Sequence, residues 1–151
     1  MNGSLIFVGL SMGLGVLLAL DAFSLSQPAK LTFTLLGLTG LGTALAGVFP
    51  ENVTPLIHYL IAALCLIIIN CGVLAAFWVP ELPGSWRWYS LLMGILGLVA
   101  LVVLGLHFYT PLGPGGIERI ADYTPDLWVF TFSTYLVLRH EQLFRFSKGR
   151  L

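Results

Sequence analysis

Apolar positions in this chain come in long blocks, not in the two-residue alternation of a half-buried strand. Five blocks reach the length that a membrane-crossing helix needs, about 20 residues. They cover about Ser4–Phe23, Leu31–Phe49, Thr54–Val79, Trp88–Tyr109 and Ile117–Leu138. Backbone amides in lipid must be satisfied within their own segment, which predicts helices and not strands. Breakers separate the blocks: Ser24-Leu25-Ser26-Gln27-Pro28, Pro50-Glu51-Asn52, Pro80-Glu81-Leu82-Pro83-Gly84-Ser85 and Thr110-Pro111-Leu112-Gly113-Pro114-Gly115-Gly116. These connections are short, so successive helices are expected to pack as antiparallel neighbours. The predicted fold class is an all-α membrane protein, a five-transmembrane-helix antiparallel bundle. Residues 1–138 form the bundle and 139–151 a short basic-aromatic tail.

Composition agrees. Of 151 residues only 9% are charged, 58% are hydrophobic, and the net charge is zero. The mean hydropathy is +0.94. A soluble globule of this size needs a larger polar shell. A soluble enzyme, a disordered chain and a nucleic-acid binder with a basic face are therefore excluded. The first block has no basic residues before it, and Asp21 stands where a cleavage site needs small residues. It reads as a retained span and not as a signal peptide. Cys65 and Cys71 are about 120° apart on a helix and read as small buried hydrophobes.

Charge sets the expected orientation. With five crossings, Lys30, Arg87, Arg139, Arg145, Lys148 and Arg150 fall on one side and Arg119 alone on the other. The positive-inside rule puts the C-terminus in the cytoplasm and the N-terminus outside, in the cytoplasmic (inner or plasma) membrane. Trp86, Trp88 and Tyr89 mark an interfacial belt, and Phe144, Arg145, Phe146 and Lys148 an inner-leaflet anchor. Small residues recur at helix-packing spacing: Gly9-xxx-Gly13 and Ser11-xxx-Gly15, then Gly37, Gly40, Ala44 and Gly47, then Gly94, Gly97 and Ala100. They serve packing inside the bundle. They also offer a route to a homo-oligomer or a larger membrane complex. Asn70, in the inner half of the third span, is expected to bond across to another helix.

Polar residues concentrate towards the expected outer face: Glu51, His58, His107, Glu118, Arg119, Asp122 and Asp126. Only Leu127–Leu138 of the fifth block is continuously apolar, about 18 Å of helix, so the helix must start near Ile117 and carry ionisable groups with it. Glu118, Asp122 and Asp126 share a face, and Arg119 is spaced to pair with either aspartate. Pro125 frees one backbone carbonyl and is expected to kink the helix. Together these residues predict a polar vestibule walled by the third, fourth and fifth spans. One use is an ion-pair network that locks the fifth helix. A second is a lipid-headgroup or small-ligand pocket with Arg119 as anion donor. A third is a Zn²⁺-dependent intramembrane hydrolase drawing on two imidazoles and the carboxylates. His58 and His107 at similar depth also suit a bis-histidine haem. His140 lies on the opposite side. No paired His motif singles out a metal, catalytic residues are not identified, and the residues name no cofactor. The favoured reading is a non-enzymatic lipid- or small-ligand-binding protein, or an accessory subunit of a membrane complex, with the hydrolase as the alternative.

Three ordered elements carry a family resemblance. Asn2-Gly3-Ser4-Leu5-Ile6 opens a glycine-rich span. Gly47-Val48-Phe49-Pro50-Glu51 is followed by His58 and Ala62-Ala63. Gly116-Ile117-Glu118-Arg119-Ile120 leads to Trp128. In these the chain resembles the prokaryotic integral-membrane family known as domain of unknown function 998. The resemblance implies a compact helical bundle and draws attention to Phe49, Pro50, His58, Glu118 and Arg119. It brings no activity. It also implies six spans with a polar Ser- and Pro-containing segment after the first, so this chain reads as lacking that span and segment, either as a natural short form or because an upstream start was missed. His107, Asp122 and Asp126 have no counterpart in the resemblance.

Overall fold

The structure is a computed structural model. It describes residues 2–20, 26–108 and 111–148; of residue 2 and of residues 140–148 only the backbone is described. Asp21, Tyr109, Thr110 and the side chains of tail residues 140–151 lie outside the described residues.

Five helices follow one another: α1 Asn2–Leu20, α2 Gln27–Val48, α3 Pro55–Ala75, α4 Gly84–Gly105 and α5 Gly113–Lys148. A 3-10 turn, Ala76–Trp78, extends α3. No strand occurs among the described residues. Local chemistry sets the helix starts. Ser26 sits in extended backbone before α2 and its Oγ accepts the Ala29 N–H, with Pro28 in the first turn. Pro55 opens α3 at its first position, with no side-chain cap from Thr54 before it. The end of α4 is a Schellman motif: the His107 N–H reaches Leu104 O at 3.1 Å and the Phe108 N–H reaches Val103 O at 3.2 Å.

Four helices are long and apolar enough to cross a membrane: Gly3–Leu20, Gln27–Val48, Pro55–Trp78 and Gly84–Gly105. α5 is not among them, because Glu118, Arg119, Asp122 and Asp126 dilute its apolar stretch. It starts earlier than expected, at Gly113, with Pro114 in the first turn where a missing N–H costs nothing. It also runs unbroken through position 138 to Lys148, so the expected tail begins inside a helix.

The side-chain distribution supports a lipid surround. The buried positions of α2 are Ala29, Thr32, Phe33, Leu36, Thr39, Gly40, Ala46 and Gly47, whereas Leu31, Leu38, Leu41, Leu45 and Val48 point outwards. A surface greasier than the interior is stable only when the surroundings are apolar.

Every consecutive pair of helices packs antiparallel. A Cβ on Gly9 would overlap the Gly40 carbonyl and the Ala44 backbone, so α1 meets α2 backbone to backbone. Gly42 faces Cys65 and Gly72 faces Leu35 across the α2–α3 seam. A Cβ on Gly94 would come 2.7 Å from the Leu74 Cα, and one on Gly97 would overlap the Asn70 amide. Glycines of all three small-residue stripes are thus engaged within this chain. Gly13 and Gly15 differ: a Cβ at either would meet nothing within 4 Å.

Two loops share one end of the bundle, where Ser26 Oγ donates to Glu81 at 3.0 Å. The main core gathers towards that end, around Phe33, Leu36, Val73, Val79, Trp128 and Phe132. α1 packs chiefly on α2, while α5 packs on α4 and α3, leaving a cleft between α1 and α5.

Candidate functional site

At the α2–α3 end, Phe49, Pro50 and His58 form one folded unit. The Pro50 carbonyl accepts the N–H groups of Val53 and Thr54, which turns the chain back on itself. That turn sets His58 Nδ1 2.9 Å from Phe49 O and 3.1 Å from Ala46 O. Both neighbours are carbonyls, so Nδ1 carries the proton and donates. The imidazole thereby satisfies carbonyls at the α2 C-terminus, which would otherwise lack partners. Beside it, the Tyr59 hydroxyl donates to Glu51. The Phe-Pro-to-His spacing is therefore a connection motif.

His107 serves another helix end. It is the sole non-glycine residue with positive φ among the described residues, at 58°. It takes the left-handed position that usually falls to glycine after a helix, and its Nδ1 lies 3.0 Å from Gly105 O.

Of the α5 acids, Glu118 comes within electrostatic reach of the Tyr59–Glu51 pair at this face, and Asp122 and Asp126 lie deeper. Asn70 stands fifteen residues beyond Pro55, about 22 Å along α3. Its Nδ2 donates to Ala121 O at 3.0 Å, which puts Asp122 at the same depth. Trp128 Nε1 donates to Ser90 Oγ at 2.8 Å, and Ser90 is only six residues into α4. Asp126 is therefore nearer the Ser26–Glu81 end than the His58 end. The expected single cluster is a series, with Glu51 and His58 at one end and Glu118, Asp122 and Asp126 descending α5 one turn apart. Arg119 is exposed and makes no hydrogen bond or ion pair among the described residues, so the expected pairing with Asp122 or Asp126 is absent there. No group of three or more His, Cys, Asp or Glu side chains placed to hold a metal ion occurs among the described residues.

At the depth of Asn70 the space between α3, α4 and α5 is packed with side chains. Asn70 lies against Gly97, and Ala100, Ile117 and Ala121 pack together. Pro125 is fully buried. It cannot donate to the carbonyl four residues back, that of Ala121, and Asn70 supplies the missing donor. Asn70 Oδ1 is buried with no hydrogen-bond partner among the described residues.

The open space lies on the other flank of α5. A cavity of about 420 Å³ opens between α5 and the packed α1–α2 pair. Its walls include Gly15, Phe33 and Trp128, and its polar lining comes from Ser11, Asp126 and Ser133. Of the seven expected site residues, Asp126 alone lines it. Ser11 and Gly15 were legible only as a packing stripe, and Ser133 carried no signal beyond a hydroxyl in an apolar run.

No curated protein and no solved structure matches the chain. A family model described as a protein of unknown function, DUF998, matches residues 1–135. The chain therefore belongs to the DUF998 family, whose description assigns it no function.

Proposed function

We propose that this chain is a non-enzymatic membrane protein that holds a lipid-soluble small molecule in the cleft between α1, α2 and α5. The observation that carries this reading is the cavity itself. Its volume of about 420 Å³ falls within the roughly 300–1,000 Å³ of small-molecule sites, and an apolar wall with a few polar groups is the usual make-up of such sites. The reading takes α5 as a fifth crossing, with the N-terminus outside and the C-terminus in the cytoplasm. Lys30 and Arg87 support it: both flank the Ser26–Glu81 end, which the positive-inside rule assigns to the cytoplasm.

Gly15 provides the test. It lines the cleft, and nothing stands within 4 Å of a Cβ added there. Gly15→Phe fills the cavity without forcing α1 off α2. Labelled 1-dodecanol is equilibrated with the protein in nanodiscs and with empty nanodiscs. Saturable binding above the empty discs, lost in Gly15→Phe at unchanged thermal stability, is the expected result. Equal binding by the wild-type protein and Gly15→Phe would overturn the proposal.

A further inference from the structure

We infer that the cleft selects a lipophilic cation, an apolar body carrying a protonated amine, and that Asp126 is the group that recognises it. This inference rests on the ligand-binding reading above and names the chemical class of the ligand. Asp126 is the sole ionisable side chain in the cavity wall. It forms no hydrogen bond or ion pair among the described residues. A carboxylate at membrane depth is costly and is normally matched by an opposite charge or by water. Asp122 lies one turn away on the same helix, so the local field is negative and rejects an anionic head. Arg119 lies two turns from Asp126 and pairs with neither aspartate. The hydroxyls of Ser11 and Ser133 lie in the same wall and complete its polar lining. The rest of the wall, with Phe33 and Trp128, suits a hydrocarbon body.

Two probes of equal chain length and different head separate the claims. Dodecylamine, protonated at pH 7, and 1-dodecanol are titrated against the protein in zwitterionic nanodiscs, with empty discs subtracted. A charge-assisted contact in place of a neutral one is expected to make dodecylamine bind about tenfold more tightly, and that factor should fall to about one in Asp126→Asn. Dodecanol binding should be the same in both proteins. Asp122→Asn and Glu118→Gln, whose side chains lie outside the cavity wall, should keep the amine preference. Equal affinity for the two probes in the wild type, or a preference that survives Asp126→Asn, would overturn the charge assignment while leaving the cleft as a ligand site. Absence of saturable binding by either probe would instead remove the cleft reading, and this inference with it.

Discussion

Asn70→Ala tests the link between α3 and α5. The substitution removes the Nδ2 bonds to Ala121 O at 3.0 Å and to Leu66 O at 2.8 Å. The Leu66 carbonyl keeps its helical partner, the N–H of residue 70. The Ala121 carbonyl has no such reserve, because Pro125 occupies the position that would donate to it. A hydrogen bond between membrane helices averages about 0.6 kcal/mol and reaches about 1.7. A buried acceptor left unsatisfied adds about 1–3 kcal/mol. The expected loss is about 2–3 kcal/mol, read as reversible unfolding in mixed micelles by far-ultraviolet circular dichroism. Pro125→Ala supplies the decisive control, since it restores an N–H to the Ala121 carbonyl from within α5. In that background Asn70→Ala should cost at least about 1 kcal/mol less, a coupling of the size expected for residues sharing one hydrogen-bond site. Additivity to within about 0.3 kcal/mol would refute the claim that Asn70 replaces the donor that proline removes.

Three further expectations follow from the same geometry. His107→Gly relieves a left-handed backbone at the end of α4 and should raise stability by up to about 1 kcal/mol in the same assay, whereas a loss would show that the imidazole does more than end the helix. Ser90→Ala leaves the fully buried Trp128 N–H without its acceptor and should cost about 1–3 kcal/mol, with a change in near-ultraviolet circular dichroism. A reporter fused after Leu151 should read cytoplasmic, and an exterior signal would reverse the proposed orientation.

Membrane character and helix number were legible in the sequence because lipid forces each segment to satisfy its own backbone. Long apolar blocks, Pro55 at the start of α3 and the glycine spacing are local features, and local features survive in a string of letters. The same holds for half of the α3–α5 link. Pro125 announces a freed carbonyl, and Asn70 announces a side chain seeking a partner across a helix gap. What the letters lack is the rotation and register of one helix against another. Those are set where Gly9 meets Gly40 and where Gly94 and Gly97 admit Leu74 and Asn70.

Register made Ala121 the partner of Asn70. It spent both imidazoles on helix ends, His58 on α2 and His107 on α4. It also carried Asp126 past mid-depth and turned it into the cleft beside α1. Hydrophobic periodicity is blind to these outcomes, because lipid and protein interior are equally apolar and a leucine reads alike on either side. Only close contact at small residues distinguishes the two, and which small residues meet is a property of the assembled fold.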